Sequence, residues 1–139
     1  MKFFIILSKR TLAIILAVVI IGFILTAQAF SQKASQIDGS TNELRMIYLK
    51  SLGIEAEDDR LSSKEITIPQ NFNEVYKEYN NLQKKSGFDL SRFKGKKATV
   101  YTYSLSGSEK QIHLIVCNQK IIGGDIADVN VNGKMYPLK

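Results

Sequence analysis

One imidazole and one thiol, His113 and Cys117, stand four residues apart in a stretch of alternating apolar character. They would make a nucleophile and its base if their side chains came within hydrogen-bond reach. On a strand they are instead about 13 Å apart at roughly 3.3 Å per residue, which removes the dyad and leaves Cys117 as a buried strand thiol. His113 has a second potential partner in Asp125. A two-residue turn at Asn118-Gln119 sets 117 opposite 120 and 113 opposite 124, so His113 and Asp125 point to opposite sheet faces. One extra residue at Gly123-Gly124 would bring them to the same face. A small extracytoplasmic hydrolase with a site near His113/Asp125 is therefore the catalytic alternative. The plainer reading of the two glycines is a bulge or a close backbone approach.

Three further groups could act by binding. Glu55, Glu57, Asp58 and Asp59 could surround a hard cation, but calcium loops space their carboxylates around a turn glycine, and none lies inside this cluster. A solvated loop is favoured, with no metal and no cofactor expected. Lys84, Lys85, Arg92, Lys94, Lys96 and Lys97 have only Asp89 as counter-charge between them. They read as a soluble face or as a contact for an anionic surface. Tyr76, Tyr79, Tyr101 and Tyr103 could line a groove, each with an apolar body and a polar tip, or pack as core with the helix tyrosines and the strand tyrosines sharing one inner face. The expected binding residues are Lys84, Lys85, Arg92, Lys94, Lys96, Lys97, Tyr101 and Tyr103. No paired carboxylates, Ser/His/Asp order, phosphate-cradling loop or zinc spacing occurs. The chain thus reads as a non-catalytic binding or interaction module rather than an enzyme.

The elements that position these residues follow from spacing. Ser40 and Glu43 form a capping box for a helix over Thr41 to Leu52, which Gly53 ends. Glu65 to Ile68 alternates as a short strand before Pro69. Asn71 caps a second helix whose stripe is Phe72, Val75, Tyr76, Tyr79 and Leu82, closed by Gly87. From Gly95 onward the period becomes two, giving strands Lys97–Leu105, Gln111–Cys117, Lys120–Ala127 and Lys134–Tyr136 joined by tight turns and therefore antiparallel. Strand Gln111–Cys117 is apolar on both faces, the mark of a central strand. The expected fold is α+β: two helices on one face of a four- to five-stranded antiparallel sheet, preceded by an N-terminal transmembrane or signal helix.

That leading segment sets the location. Leu12 to Leu25 is uncharged and, with Thr11, Thr26 and Ala27, approaches the roughly 20 residues of a spanning helix. Lys9 and Arg10 precede it, which keeps the N-terminus cytoplasmic and the rest outside. Residues 1–30 are anchor or signal, 31–40 a polar tether, and 41–139 one small extracytoplasmic domain. A single-pass anchor through Thr11–Ala27 is favoured over secretion after cleavage near Ala29. Of 19 basic residues three precede the apolar run, so the domain is only mildly positive against 13 acids, too little to argue for nucleic acid. A single cysteine excludes an internal disulfide. The partners that fit are the membrane, an anionic lipid or wall polymer, or another surface protein.

Three stretches together carry a resemblance: Asn42 to Gly53 (NELRMIYLKSLG), Ile68 to Leu90 (IPQNFNEVYKEYNNLQKKSGFDL) with Lys94-Gly-Lys96, and Ile121-Ile-Gly-Gly-Asp125. The chain resembles the bacterial "domain of unknown function 4830" family, whose members place one such domain after an N-terminal hydrophobic segment. It departs from the family pattern at Ile54, where Trp is expected, and lacks a Cys near Ala127 and a His near Tyr136. Its Ser106 to Lys110 loop is also shorter. The resemblance implies export and the architecture above, and it transfers no catalytic residue.

Overall fold

A computed structural model describes residues 37–58, 62–130 and 132–139. In chain order the elements are strand β1 (Ile37–Asp38), helix α1 (Asn42–Ser51), strand β2 (Ser62–Thr67), helix α2 (Glu74–Lys85) and a 3-10 turn (Leu90–Phe93). Strands β3 (Lys97–Ser104), β4 (Lys110–Cys117), β5 (Lys120–Asp128) and β6 (Met135–Pro137) follow. The class is α+β, as expected. The sheet has six strands, in the order β1-β5-β4-β3-β2 with β6 also paired to β5, and the pairings are antiparallel. The strand beyond the expected five is β1. Ile37 and Asp38, assigned from sequence to the polar tether, pair with Ile121 and Lys120.

Local chemistry moves both helix starts. Thr41, not Ser40, caps α1, its Oγ1 accepting from the Leu44 N–H at 3.2 Å, and the Ser40 N–H, which a capping box would offer to Glu43, is given to Asp38. Asn73 rather than Asn71 caps α2, its side chain accepting from the Tyr76 N–H at 2.8 Å. Gly53 and Gly87 take φ of 74° and 83°, the left-handed residue past each helix end that only glycine adopts cheaply. Asn118 and Gln119 both have positive φ, which matches the right-handed twist of the β4–β5 hairpin.

The helices do not share a face, which corrects the expected layering. Central strand β4 presents Ile112, Leu114 and Val116 to one apolar cluster and Ile115 and Cys117 to the other. Two apolar faces need two covers. Helix α1 brings Leu49, with Met46, Tyr48 and Leu52, onto Tyr103, Ile112, Leu114 and Val116. Helix α2 brings Tyr76 and Tyr79 onto the cluster of Ile68, Leu90, Ala98, Ile115, Cys117 and Ile122. Tyr101 and Tyr103 therefore lie on the opposite side of the sheet from Tyr76 and Tyr79, not beside them on one inner face.

The β4–β5 ladder contains the irregularity that the glycines suggested. Cys117 opposes Lys120 and Val116 opposes Ile121, then the register slips so that Ile115 opposes Gly123, Leu114 opposes Gly124 and His113 opposes Asp125. The inserted residue is Ile122. At Gly124 a Cβ would come within 2.7 Å of the His113 carbonyl oxygen and 2.6 Å of Leu138 Cδ1, so the position has no room for a side chain. The Gly124 N–H is taken by the buried Gln83 of α2, whose Oε1 lies 2.8 Å away.

The described residues form one compact unit. The apolar segment Thr11–Ala27 and the transmembrane or signal helix expected there lie outside the described residues. Among the described residues no helix is long and apolar enough to cross a membrane.

The close packing at Gly124 makes a direct prediction. Gly124→Ala forces its methyl against backbone as well as side chains and should cost about 1–3 kcal/mol, the range for overpacked positions. Urea denaturation at neutral pH would show it as a lower midpoint at unchanged slope, and an unaltered midpoint would contradict the geometry.

Candidate functional site

Two constellations bring chemistry-bearing side chains together. The first lies under α2. Asp125, on β5 and 2 % exposed, accepts from the Tyr79 hydroxyl at 2.6 Å through Oδ2, and its Oδ1 lies 2.9 Å from His113 Nδ1. The inserted Ile122 creates this contact, because it shifts Asp125 onto the face that His113 occupies. With Nδ1 held by the carboxylate, the imidazole is oriented and its other nitrogen is left for a further partner. The His113 side chain is 24 % exposed, so that nitrogen is within reach of the exterior. Burial, reinforced by the neighbouring Asp125 charge, pushes the Tyr79 phenol well above its ordinary range, keeping it a neutral donor. Thr102 on β3 is directly opposite His113, yet the two form no hydrogen bond to each other. Cys117 is buried on the same face and remains four strand residues from His113.

The second constellation is on the α1 face, at the end of the sheet where β3 begins and β4 turns into β5. A cleft of about 210 Å³ is lined there by Lys97, Thr99 and Tyr101 of β3, Glu65 of β2, Ser40, and the Asn118–Gln119 turn. Behind two of its walls, Gly39 and Tyr101, lies Arg45, 2 % exposed. Its Nη1 donates to the Gly39 carbonyl at 2.6 Å and its Nε to the Tyr103 hydroxyl at 2.7 Å, and the guanidinium carbon stands 3.7 Å from the Tyr101 ring centre. Tyr103 passes the chain on, donating to Asn42 Oδ1 at 2.9 Å. Among the described residues no carboxylate is paired with Arg45.

Of the binding residues expected from sequence, Lys97 and Tyr101 meet in this cleft. Tyr103 is fully buried as the hydrogen-bond partner of Arg45 and offers no binding surface. Lys84 and Lys85 are exposed in the last turn of α2, and Arg92 is exposed in the 3-10 turn. Lys94 and Lys96 are exposed just before β3, Lys94 lying 5.0 Å from the Phe72 ring centre. Lys84 and Lys85 are thus separated from Arg92, Lys94, Lys96 and Lys97 by a segment anchored by the buried Phe88 and Leu90. The acidic loop is pinned instead of free: Ala56 bridges Leu105, and Asn42 Nδ2 donates to Asp58. Asp59 lies outside the described residues, and among those described no three metal-binding side chains gather. Arg45 and Gln83 were not legible as buried groups, since in sequence each is an ordinary polar helix residue.

The Asp125 network predicts a graded loss of stability. Asp125→Ala strands a buried hydroxyl and an imidazole and should cost about 3 kcal/mol, whereas Tyr79→Phe removes one hydrogen bond to a charged group, about 1.5–3 kcal/mol. Alkaline pH provides a second reading. Burial lifts Tyr48 to about 12 and raises Tyr79 as well, so the fold favours both protonated phenols. This stabilisation is complete below the unfolded phenol pKa of about 10 and fades as pH rises through the folded values. Denaturation midpoints between pH 9 and 12 should fall, and less steeply in Tyr79→Phe.

No curated protein and no solved structure matches the chain. A family profile matches residues 48–126, a span running from α1 through Asp125 and covering more than half the sequence. The chain belongs to the family described as "Domain of unknown function (DUF4830)".

Proposed function

We propose that this chain is a membrane-tethered extracytoplasmic binding module that meets an anionic lipid, a wall polymer or another surface protein through its basic end. The observation carrying the reading is the sheet register. Lys97 begins β3, Lys120 begins β5, and β1 pairs with Lys120 and Ile121, so the strand closest to the proposed tether and these lysines lie toward one end of the sheet. Lys94 and Lys96 lead directly into β3 there and are exposed. The uncharged run Thr11–Ala27 behind Lys9 and Arg10 supports the anchor and its orientation. The lack of a nucleophile bonded to His113 among the described residues supports binding over catalysis.

One observation favours a second reading. A buried carboxylate 2.9 Å from an imidazole nitrogen is the orienting half of a general base, so a small hydrolase using His113 and Asp125 is the alternative. Turnover of model ester, peptide or phosphoester substrates that vanishes in His113→Ala while the fold persists would establish it over the binding module.

Exposed lysines beside an anionic surface contribute about 1 kcal/mol each, screened over about 8 Å at physiological salt. The fragment from Ser31 to Lys139, which retains the whole described core, should therefore sediment with anionic vesicles or wall polymer at low salt and be released at high salt. Changing Lys94, Lys96 and Lys97 to Gln should weaken this about tenfold or more. Equal sedimentation of both proteins, or none at low salt, rules out the electrostatic contact.

A further inference from the structure

The cleft at the start of β3 carries two opposite charges that are not used on one another. Glu65 opposes Thr99 and Lys97 opposes Thr67, which makes Glu65 and Lys97 diagonal neighbours across the β2–β3 ladder, about 7–8 Å apart at the backbone. Both line the cleft, and neither forms an ion pair or a side-chain hydrogen bond with a described residue. Behind the wall the Arg45 guanidinium is held by a carbonyl, a phenol and a ring face, all of them uncharged. A buried cation without a counter-charge is costly, and an anionic group nearby lowers that cost.

We propose that this cleft binds a small zwitterion of the α-amino-acid class, with its carboxylate at Lys97 and its ammonium at Glu65. A simple anion at Lys97 would face the Glu65 carboxylate, and a simple cation at Glu65 would face Lys97 with Arg45 behind it. A molecule carrying both charges a few ångströms apart meets each with its opposite. The volume of about 210 Å³ admits a free amino acid with a short side chain, which would rest on Val116 and the Tyr101 ring. Ser40, Thr99 and the Asn118–Gln119 turn offer the remaining hydrogen bonds around it. Arg45 acts here through its field and as the brace of Gly39 and Tyr101, without touching the ligand.

The proposal deepens the binding-module reading and rests on it, but it does not depend on the basic end meeting a membrane. The test is amide NMR of the full-length chain in detergent micelles, titrated in turn with L-alanine, acetate and methylammonium. L-Alanine should shift the amides of Thr99, Tyr101 and Gln119 saturably, with acetate and methylammonium weaker by about tenfold or more, since each forfeits one charge-assisted contact. Glu65 and Lys97 are exposed, so Glu65→Gln and Lys97→Gln should keep the dispersed spectrum and each weaken L-alanine by a similar factor. Acetate binding as tightly as L-alanine, unaltered affinity in both variants, or no saturable shift overturns the assignment. If vesicle sedimentation persists while L-alanine fails, only the cleft is removed. If both fail, the cleft and the electrostatic contact are removed together, and a protein partner is the surviving form of the module reading.

Discussion

The single inserted residue in β5 decides how this domain is put together. Without Ile122 the two-residue turn at Asn118–Gln119 would carry its register unbroken along the hairpin, and Asp125 would point into the apolar cluster under α1. A carboxylate there would be desolvated in the cluster that holds Ile112 and Leu114, away from the Tyr79 and His113 side chains. With the insertion, Ile122 and Gly123 both face α2 and Asp125 follows onto the same side, where Tyr79 and His113 supply its hydrogen bonds. The bulge also leaves the Gly124 N–H unpaired by the ladder, and Gln83 takes it. Tyr79 and Gln83 are one helical turn apart, so the same face of α2 satisfies the carboxylate and the bulge at adjacent residues of β5. Burial of apolar surface would hold α2 against the sheet in several orientations, because it has no direction. These two hydrogen bonds select one.

The other face is organised by the same logic with different groups. Helix α1 packs through Leu49 and its neighbours, while Arg45 fixes its start by reaching the Gly39 carbonyl and the Tyr103 hydroxyl across the sheet. Each helix is thus held by apolar contact and aligned by buried hydrogen bonds, from Arg45 on α1 and from Tyr79 and Gln83 on α2. Two of these groups are not fully satisfied. Gln83 Nε2 is buried without a hydrogen-bond partner, and Arg45 keeps a charge with no described carboxylate beside it. An unpaired buried amide hydrogen costs on the order of 1–3 kcal/mol. The cost at Gln83 is the counterpart of needing its oxygen at the bulge, since turning the amide over would place a donor against the Gly124 N–H.

The strands were legible because alternation is a property of the chain itself: β3, β4 and β5 start and stop within a residue or two of where the apolar period changes. The turn was legible for the same reason, as Asn118 tolerates the left-handed conformation that the hairpin demands. What was not legible depended on distant groups. Ser40 has the right side chain to cap α1, yet the helix begins one residue later at Thr41, and the Ser40 N–H that a capping box would offer to Glu43 goes to Asp38, which β1 pairs with Lys120. Ile37 and Asp38 look like linker, since a two-residue strand has no period to read. The layering failed on a subtler point: β4 was recognised as apolar on both sides, and that already required a cover on each. The glycine pair pointed to a bulge, but the slip itself depends on Gln83, forty-one residues away.

The same coupling bears on which constellation can act on a ligand. In the Asp125 network both carboxylate oxygens are engaged by protein donors, Tyr79 remains neutral, and among the described residues no side chain with nucleophilic character is bonded to the imidazole. Its geometry is accounted for by the need to seat α2. The cleft at the start of β3 differs in kind, because the Glu65 and Lys97 side chains form no ion pair or hydrogen bond with a described residue. Side chains that the fold does not consume are free to meet something else. The buried network engages its polar groups in seating α2, while Glu65 and Lys97 stand exposed on β2 and β3.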